Sequence, residues 1–125
     1  MAGIEEARSV IDQAHAFRVT PVEAIAVKNA LLRYTAYAVY DNLRSAGFGD
    51  IKLSVHTVGE LFYFTFYVEL KEEDIKLFRL IATALPYIIK PASDSFLKYC
   101  DISPVAIMHK VYNTGSKWIG EISVY

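Results

Sequence analysis

The chain of 125 residues has the length of one compact domain, and its 54% hydrophobic and 22% charged content excludes a disordered or low-complexity chain, because enough apolar surface is present to offset the entropy of ordering. Thirteen Lys and Arg against fourteen Asp and Glu leave a formal charge of -1, so a generally basic chain attracted to nucleic acid is excluded and any charged site must be local. The lone Cys100 has no partner for an internal disulfide, the opening MAGIEEARSV is too polar for a secretory signal, and Leu77 to Ile89 is broken by Arg79 and Pro86 and shorter than the roughly 20 residues of a membrane span; a cytoplasmic protein with no membrane partner is expected.

Apolar residues at Ile4, Ala7, Val10, Ile11 and Ala14 predict a first helix over Gly3 to Phe17. Thr20-Pro21-Val22-Glu23 reads as an N-cap, a proline at the first helical position and a Glu able to close a capping box. The second helix it opens, the longest element, runs through Ile25, Leu31, Leu32, Tyr34, Val39 and Leu43 to a stop at Gly47. From Ile51 the period becomes two, which predicts a strand, a turn at Val58-Gly59-Glu60, and a second strand LFYFTFYVEL with Phe62, Phe64, Phe66, Val68 and Leu70 on one face and Tyr63, Thr65, Tyr67 and Glu69 on the other.

Glu72, Glu73 and Asp74 suit the positive end of a helix dipole, and Ile75, Leu77, Phe78, Ile81, Ala82 and Leu85 continue as an amphipathic helix that Pro86 ends or kinks. Ser93-Asp94-Ser95 before Phe96 to Cys100 predicts a short further helix, and Pro104 opens an extended stretch. Val105 to Tyr112 and Lys117 to Tyr125 then flank the turn Asn113-Thr114-Gly115-Ser116 as a second hairpin. The expected fold is one α+β domain over residues 1–125, in the order helix, helix, hairpin, helix, helix, hairpin, with the hairpins joined in a four-stranded antiparallel sheet packed on helices. The two halves share this order but no residue-level repeat.

With helices on the Phe62, Phe64 and Phe66 face, the other face of the sheet shows Lys52, Ser54 and His56, then Tyr63, Thr65 and Tyr67, and from the second hairpin Met108, Lys110 and Tyr112, followed by Lys117, Ile119, Glu121, Ser123 and Tyr125 or, with the register shifted by one, Trp118. Aromatics among lysines supply what unpaired bases and phosphates need, so Lys52, Tyr63, Tyr67, Lys110, Tyr112, Lys117 and Trp118 are the candidate nucleic-acid-binding residues. Tyrosine is also an ordinary strand residue whose cross-strand pairs need no ligand. Tyr34, Tyr37 and Tyr40, beside Lys28, Arg33 and Arg44, can wall a cleft or pack at the edge of the core. His15, His56 and His109 lack any metal-ligand spacing, Cys100 reads as a small packed residue, Gly47-Phe48-Gly49 lacks a phosphate-loop pattern, and no nucleophile motif occurs; no metal, cofactor or catalytic residue is expected.

The arrangement of helices around antiparallel strands, the aromatic strand FYFTFYVEL and the closing KWIGEISVY resemble the ThermoDBP-type single-stranded DNA-binding proteins of thermophilic archaea and their shorter relatives. The resemblance covers nearly the whole chain and lies in organisation, without a short diagnostic motif. It implies an α+β domain whose hydrophobic cleft takes the bases of single-stranded DNA, with RNA as an open alternative, while basic residues at the rim hold the backbone. The sequence reading is therefore a non-enzymatic single-stranded nucleic acid binder without strong sequence preference. A protein-interaction module or homodimer using the aromatic face is the alternative, and a small-ligand or enzyme pocket between sheet and helices is a third.

Overall fold

The computed structural model describes residues 3–4, 21–89 and 102–125. Helix α1, Pro21–Ser45, is rich in Ala and Leu, good helix formers, and it buries Leu32, Ala36, Val39 and Leu43 along one stripe. Its end follows from Gly47, held at φ 99°: the Phe48 N–H reaches back to the Leu43 carbonyl at 3.1 Å and the Gly47 N–H to that of Arg44 at 3.0 Å, a Schellman closure that turns Phe48 into the core. Strands β1, Ile51–Val58, and β2, Leu61–Leu70, form a hairpin across the two-residue turn Gly59-Glu60, where Gly59 has φ 61°. Asn29 of α1 fastens this turn, its Nδ2 donating to the Glu60 carbonyl at 2.8 Å while its Oδ1 accepts the Phe62 N–H at 3.1 Å.

The acidic residues 72–74 form a 3-10 turn that leads into helix α2, Ile75–Ile88. Pro86 lies in the last turn of α2 and ends it without a mid-helix kink, since the Ile89 N–H still bonds the Leu85 carbonyl at 2.8 Å. The second hairpin pairs β3, Ile107–Asn113, with β4, Trp118–Val124, and is closed by Gly115 at φ 101° and by a 2.6 Å hydrogen bond from the Gly115 N–H to Asn113 Oδ1.

All pairings are antiparallel and the strand order is β1-β2-β4-β3, so the described chain is an α+β layer with both helices on one face of a four-stranded sheet. Helix α1 lies over β2 and reaches β4, whereas α2 lies over β3 and β4. Phe66, Val68, Ile122 and Val124 meet Phe78, Ala82 and Leu85 of α2 and the buried stripe of α1 in one core. The expected phenylalanine face is the helix side for Phe64, Phe66, Val68 and Leu70, but Phe62, beyond the end of β4, stays largely exposed. Gly3 and Ile4 are helical, with Gly3 against Tyr34; the rest of the expected first helix, the Thr20 cap and the expected helix before Cys100 lie outside the described residues.

Candidate functional site

The register lays out the sheet face away from the helices in cross-strand rows. One row runs Lys52, Tyr67, Glu121, Lys110, and another Ser54, Thr65, Ser123, Met108, so Lys52, Tyr67 and Lys110 do share this face as expected. Glu121, only 13% exposed, stands between Tyr67 and Lys110, with its Oε2 3.1 Å from Lys110 Nζ. Its hydrogen bond and charge hold the Lys110 ammonium pKa above the usual lysine range; burial first, then the same carboxylate, raises that of the Tyr67 phenol. Lys110 also lies 5.4 Å from the centre of the Tyr112 ring.

Lys117 Nζ sits 3.5 Å from Glu69 Oε2. Tyr63 is in a separate row with His56, and it meets Tyr125 edge-on at 6.2 Å. Trp118 corrects the alternative register: it is paired opposite Leu70 and Asn113 and its side chain packs against the core on the helix side, while the outward alternation passes through Ile119, Glu121 and Ser123, the first of the two expected registers. Two of the three lysines proposed for phosphate are therefore held by carboxylates on the same face, a poor surface for a polyanion.

A second constellation forms where α1 leaves β1 uncovered. Residues 33, 37, 40 and 44 of a helix fall within a stripe roughly 60° wide, about a quarter-turn from the buried stripe of Ala36, Val39 and Leu43. Arg33, Tyr37, Tyr40 and Arg44 thus rise along the flank of α1 that looks toward the uncovered β1. Tyr37 is 72% exposed, and the Arg44 guanidinium lies 5.9 Å from the centre of the Tyr40 ring. Across from them, Leu53 and Val55 of β1 point to the helix side yet are each 52% exposed.

Between these walls is a cleft of about 340 Å³ whose floor is Ile51, Leu53, Phe64 and Phe66 and whose helical wall is Arg33, Tyr37 and Tyr40. None of the described residues lining it is acidic. The tyrosine repeat of α1 was legible as a candidate wall, but Tyr34 turns toward Gly3 and only Tyr37 and Tyr40 border this cleft. Leu53 and Phe64 escaped notice because alternation gives the side a residue faces, not whether a helix reaches that side.

Lys28 is 3% exposed near the start of α1, and burial pushes its ammonium pKa down; its Nζ lies 5.9 Å from the centre of the Tyr63 ring. His56 and His109 stand on opposite faces of the sheet, His15 and Cys100 lie outside the described residues, and among the described residues no group of three or more His, Cys, Asp or Glu is placed to hold a metal. No described helix is long and apolar enough to cross a membrane. Compared with known proteins, the chain matches no family model, no curated protein and no solved structure.

Proposed function

We propose that this domain binds single-stranded nucleic acid, without strong sequence preference, in the cleft between α1 and β1. The observation that carries the reading is an open cleft with exposed aromatic rings, an apolar floor, Arg33 on its helical wall and no acidic residue among its described lining. Tyr37 and Tyr40 are the stacking platforms, Leu53 and Phe64 take the apolar edges of the bases, and Arg33 and Arg44 meet the phosphates. The resemblance to the archaeal single-strand binders supports the same division between an apolar cleft and a basic rim. The role is binding rather than catalysis and the setting intracellular.

Fluorescence anisotropy with labelled oligo-dT and oligo-U, repeated over a series of salt concentrations, tests this reading. Loss of one stacking contact is worth ~1–3 kcal/mol, so Tyr37→Ala and Tyr40→Ala should each weaken binding roughly 5- to 150-fold with little change in salt slope. Arg33→Ala should weaken it and flatten the slope. Tyr67→Ala and Lys110→Ala should leave affinity nearly unchanged. The opposite pattern returns the site to the tyrosine face of the sheet, and a parent protein that binds neither oligonucleotide at low salt ends the nucleic-acid reading.

A further inference from the structure

Helix α1 buries the stripe Ala24, Val27, Leu31, Leu32 and Thr35, and Lys28 falls inside it, four residues after Ala24 and three before Leu31. A lysine at such a core position needs acceptors for an ammonium that carries three donors, or its burial goes uncompensated. The other buried polar side chains among the described residues have partners: Thr35 Oγ1 donates to the Leu31 carbonyl at 2.7 Å, and Thr65 Oγ1 lies 3.5 Å from Ser123 Oγ. Among the described residues Lys28 Nζ has no hydrogen-bond acceptor and no carboxylate partner, only the ring of Tyr63 with its centre 5.9 Å away. Burial alone lowers its pKa, with no neighbouring negative charge to oppose the shift.

This side chain lines a cavity of about 660 Å³ that shares none of its described lining with the cleft beside β1. The walls are mainly apolar, with Ile25, Val58, Leu61, Pro104 and Ala106 joined by Tyr63 and Tyr125, whose rings meet edge-on. Hydrogen bonds fix it on two sides. Asn29, next to Lys28, ties the β1–β2 turn to α1, and Ala106 and Tyr125 exchange backbone N–H to carbonyl bonds of 2.6 and 3.0 Å. A preformed apolar cavity of this size, with one buried charge at its wall, has the make-up of a small-ligand site.

We infer that this cavity binds a small organic monoanion, a carboxylate on a flat apolar body, with the carboxylate on Lys28 Nζ and the body against Tyr63, Tyr125 and Leu61. The ligand supplies the acceptors that Lys28 lacks, in a dry setting where a charge-assisted hydrogen bond is strong. Lys28 is the one cation among the described lining residues, and the one acid, Glu60, is exposed and not paired with it, so a single negative charge is matched and a polyanion is not. The inference is independent of the nucleic-acid reading, because the two sites share no described lining residue.

Titration of the full chain with 2-naphthoate and with the neutral 2-naphthalenemethanol, followed by NMR, tests it. The parent should bind the acid about tenfold or more tighter than the alcohol, the worth of a hydrogen bond between charged groups. Lys28→Met keeps the length of the stem and should bind the two probes equally, whereas Tyr37→Ala should bind both as the parent does. In the parent itself, intermolecular NOEs should join the naphthoate ring to the methyl groups of Ile25, Leu61 and Ala106, a readout that does not depend on any variant folding. Excess oligo-dT should leave naphthoate in place. A parent that binds no naphthoate at millimolar concentration, equal affinity for acid and alcohol, or a preference that survives Lys28→Met overturns the inference. NOEs to Leu53 or a loss in Tyr37→Ala would put the probe in the other cleft, and displacement by oligo-dT would give Lys28 to a phosphate of a bound strand; each of these overturns it too.

Discussion

Replacing Gly120 with Ala tests the position of α2 over the sheet at a single methyl group. A Cβ at Gly120 would lie 2.6 Å from Cζ and 2.7 Å from Cε1 of Phe78, where ordinary van der Waals contact begins near 3.4 Å, so the ring must move by most of an ångström. It has little room, being fully buried and edge-on to Phe48 at 6.0 Å. Overpacking of this kind costs ~2–3 kcal/mol, offset by ~0.5–1 kcal/mol because Ala is the less flexible residue in the unfolded chain. The net loss of ~1–2 kcal/mol should lower Tm by roughly 4–10 °C in a domain of this size. Phe78→Leu alone should also destabilise, by opening a cavity, but the double variant should lose less than the sum, since the new methyl group fills part of that space. Urea denaturation of the four proteins gives the coupling directly. A neutral Gly120→Ala, or two losses that simply add, would mean that the Phe78 ring is not seated on Gly120, and the docking of α2 on β4 would have to be redrawn.

Lys28→Met should stabilise the domain at neutral pH by ~1 kcal/mol, the amount by which relief from burying the ammonium exceeds the lost ring contact. Because the folded-state pKa of Lys28 is lowered, the unfolded chain binds the extra proton; the penalty is complete below the folded pKa and fades as pH rises toward the ordinary lysine value of 10.5. The stabilisation by Met should therefore shrink over that alkaline window, and a pH-independent gain would contradict the assignment. Asn29→Ala should cost ~1 kcal/mol by removing both hydrogen bonds to the β1–β2 turn, with faster hydrogen exchange at the Phe62 amide as its local signature.

Much of this architecture was legible because period two and period 3.6 leave different marks. The alternation of LFYFTFYVEL assigned its sides correctly from Phe64 to Leu70, and Gly47, Gly59 and Gly115 marked the turns because each takes a left-handed backbone there. Trp118 was ambiguous for a physical reason: the strand begins at Trp118 rather than Lys117, and a one-residue uncertainty at a strand start inverts every side chain. Gly120 carried a sequence signal, since glycine within a strand marks close approach by another element, but only the fold reveals that the element is the Phe78 ring. Glu69 and Glu121 were legible on the tyrosine face, but alternation could not tell that they reach Lys117 and Lys110 from neighbouring strands, because that depends on the order and register of the strands.

The cleft and the open edge have one origin in the packing. A helix about 10 Å across cannot cover every strand when neighbours are ~4.8 Å apart, and α1 is placed over β2 with its overhang toward β4, so β1 keeps both its apolar side chains and its backbone groups in water. The flanks of Tyr37, Tyr40, Leu53 and Phe64 fit flat rings. Two arginines release few counterions, for a salt slope of only about -1.4 on single strands, so stacking rather than charge must supply most of the affinity. A chain with net charge -1 can hold a polyanion there by placing cations along one helical flank beside the cleft instead of spreading them over its surface.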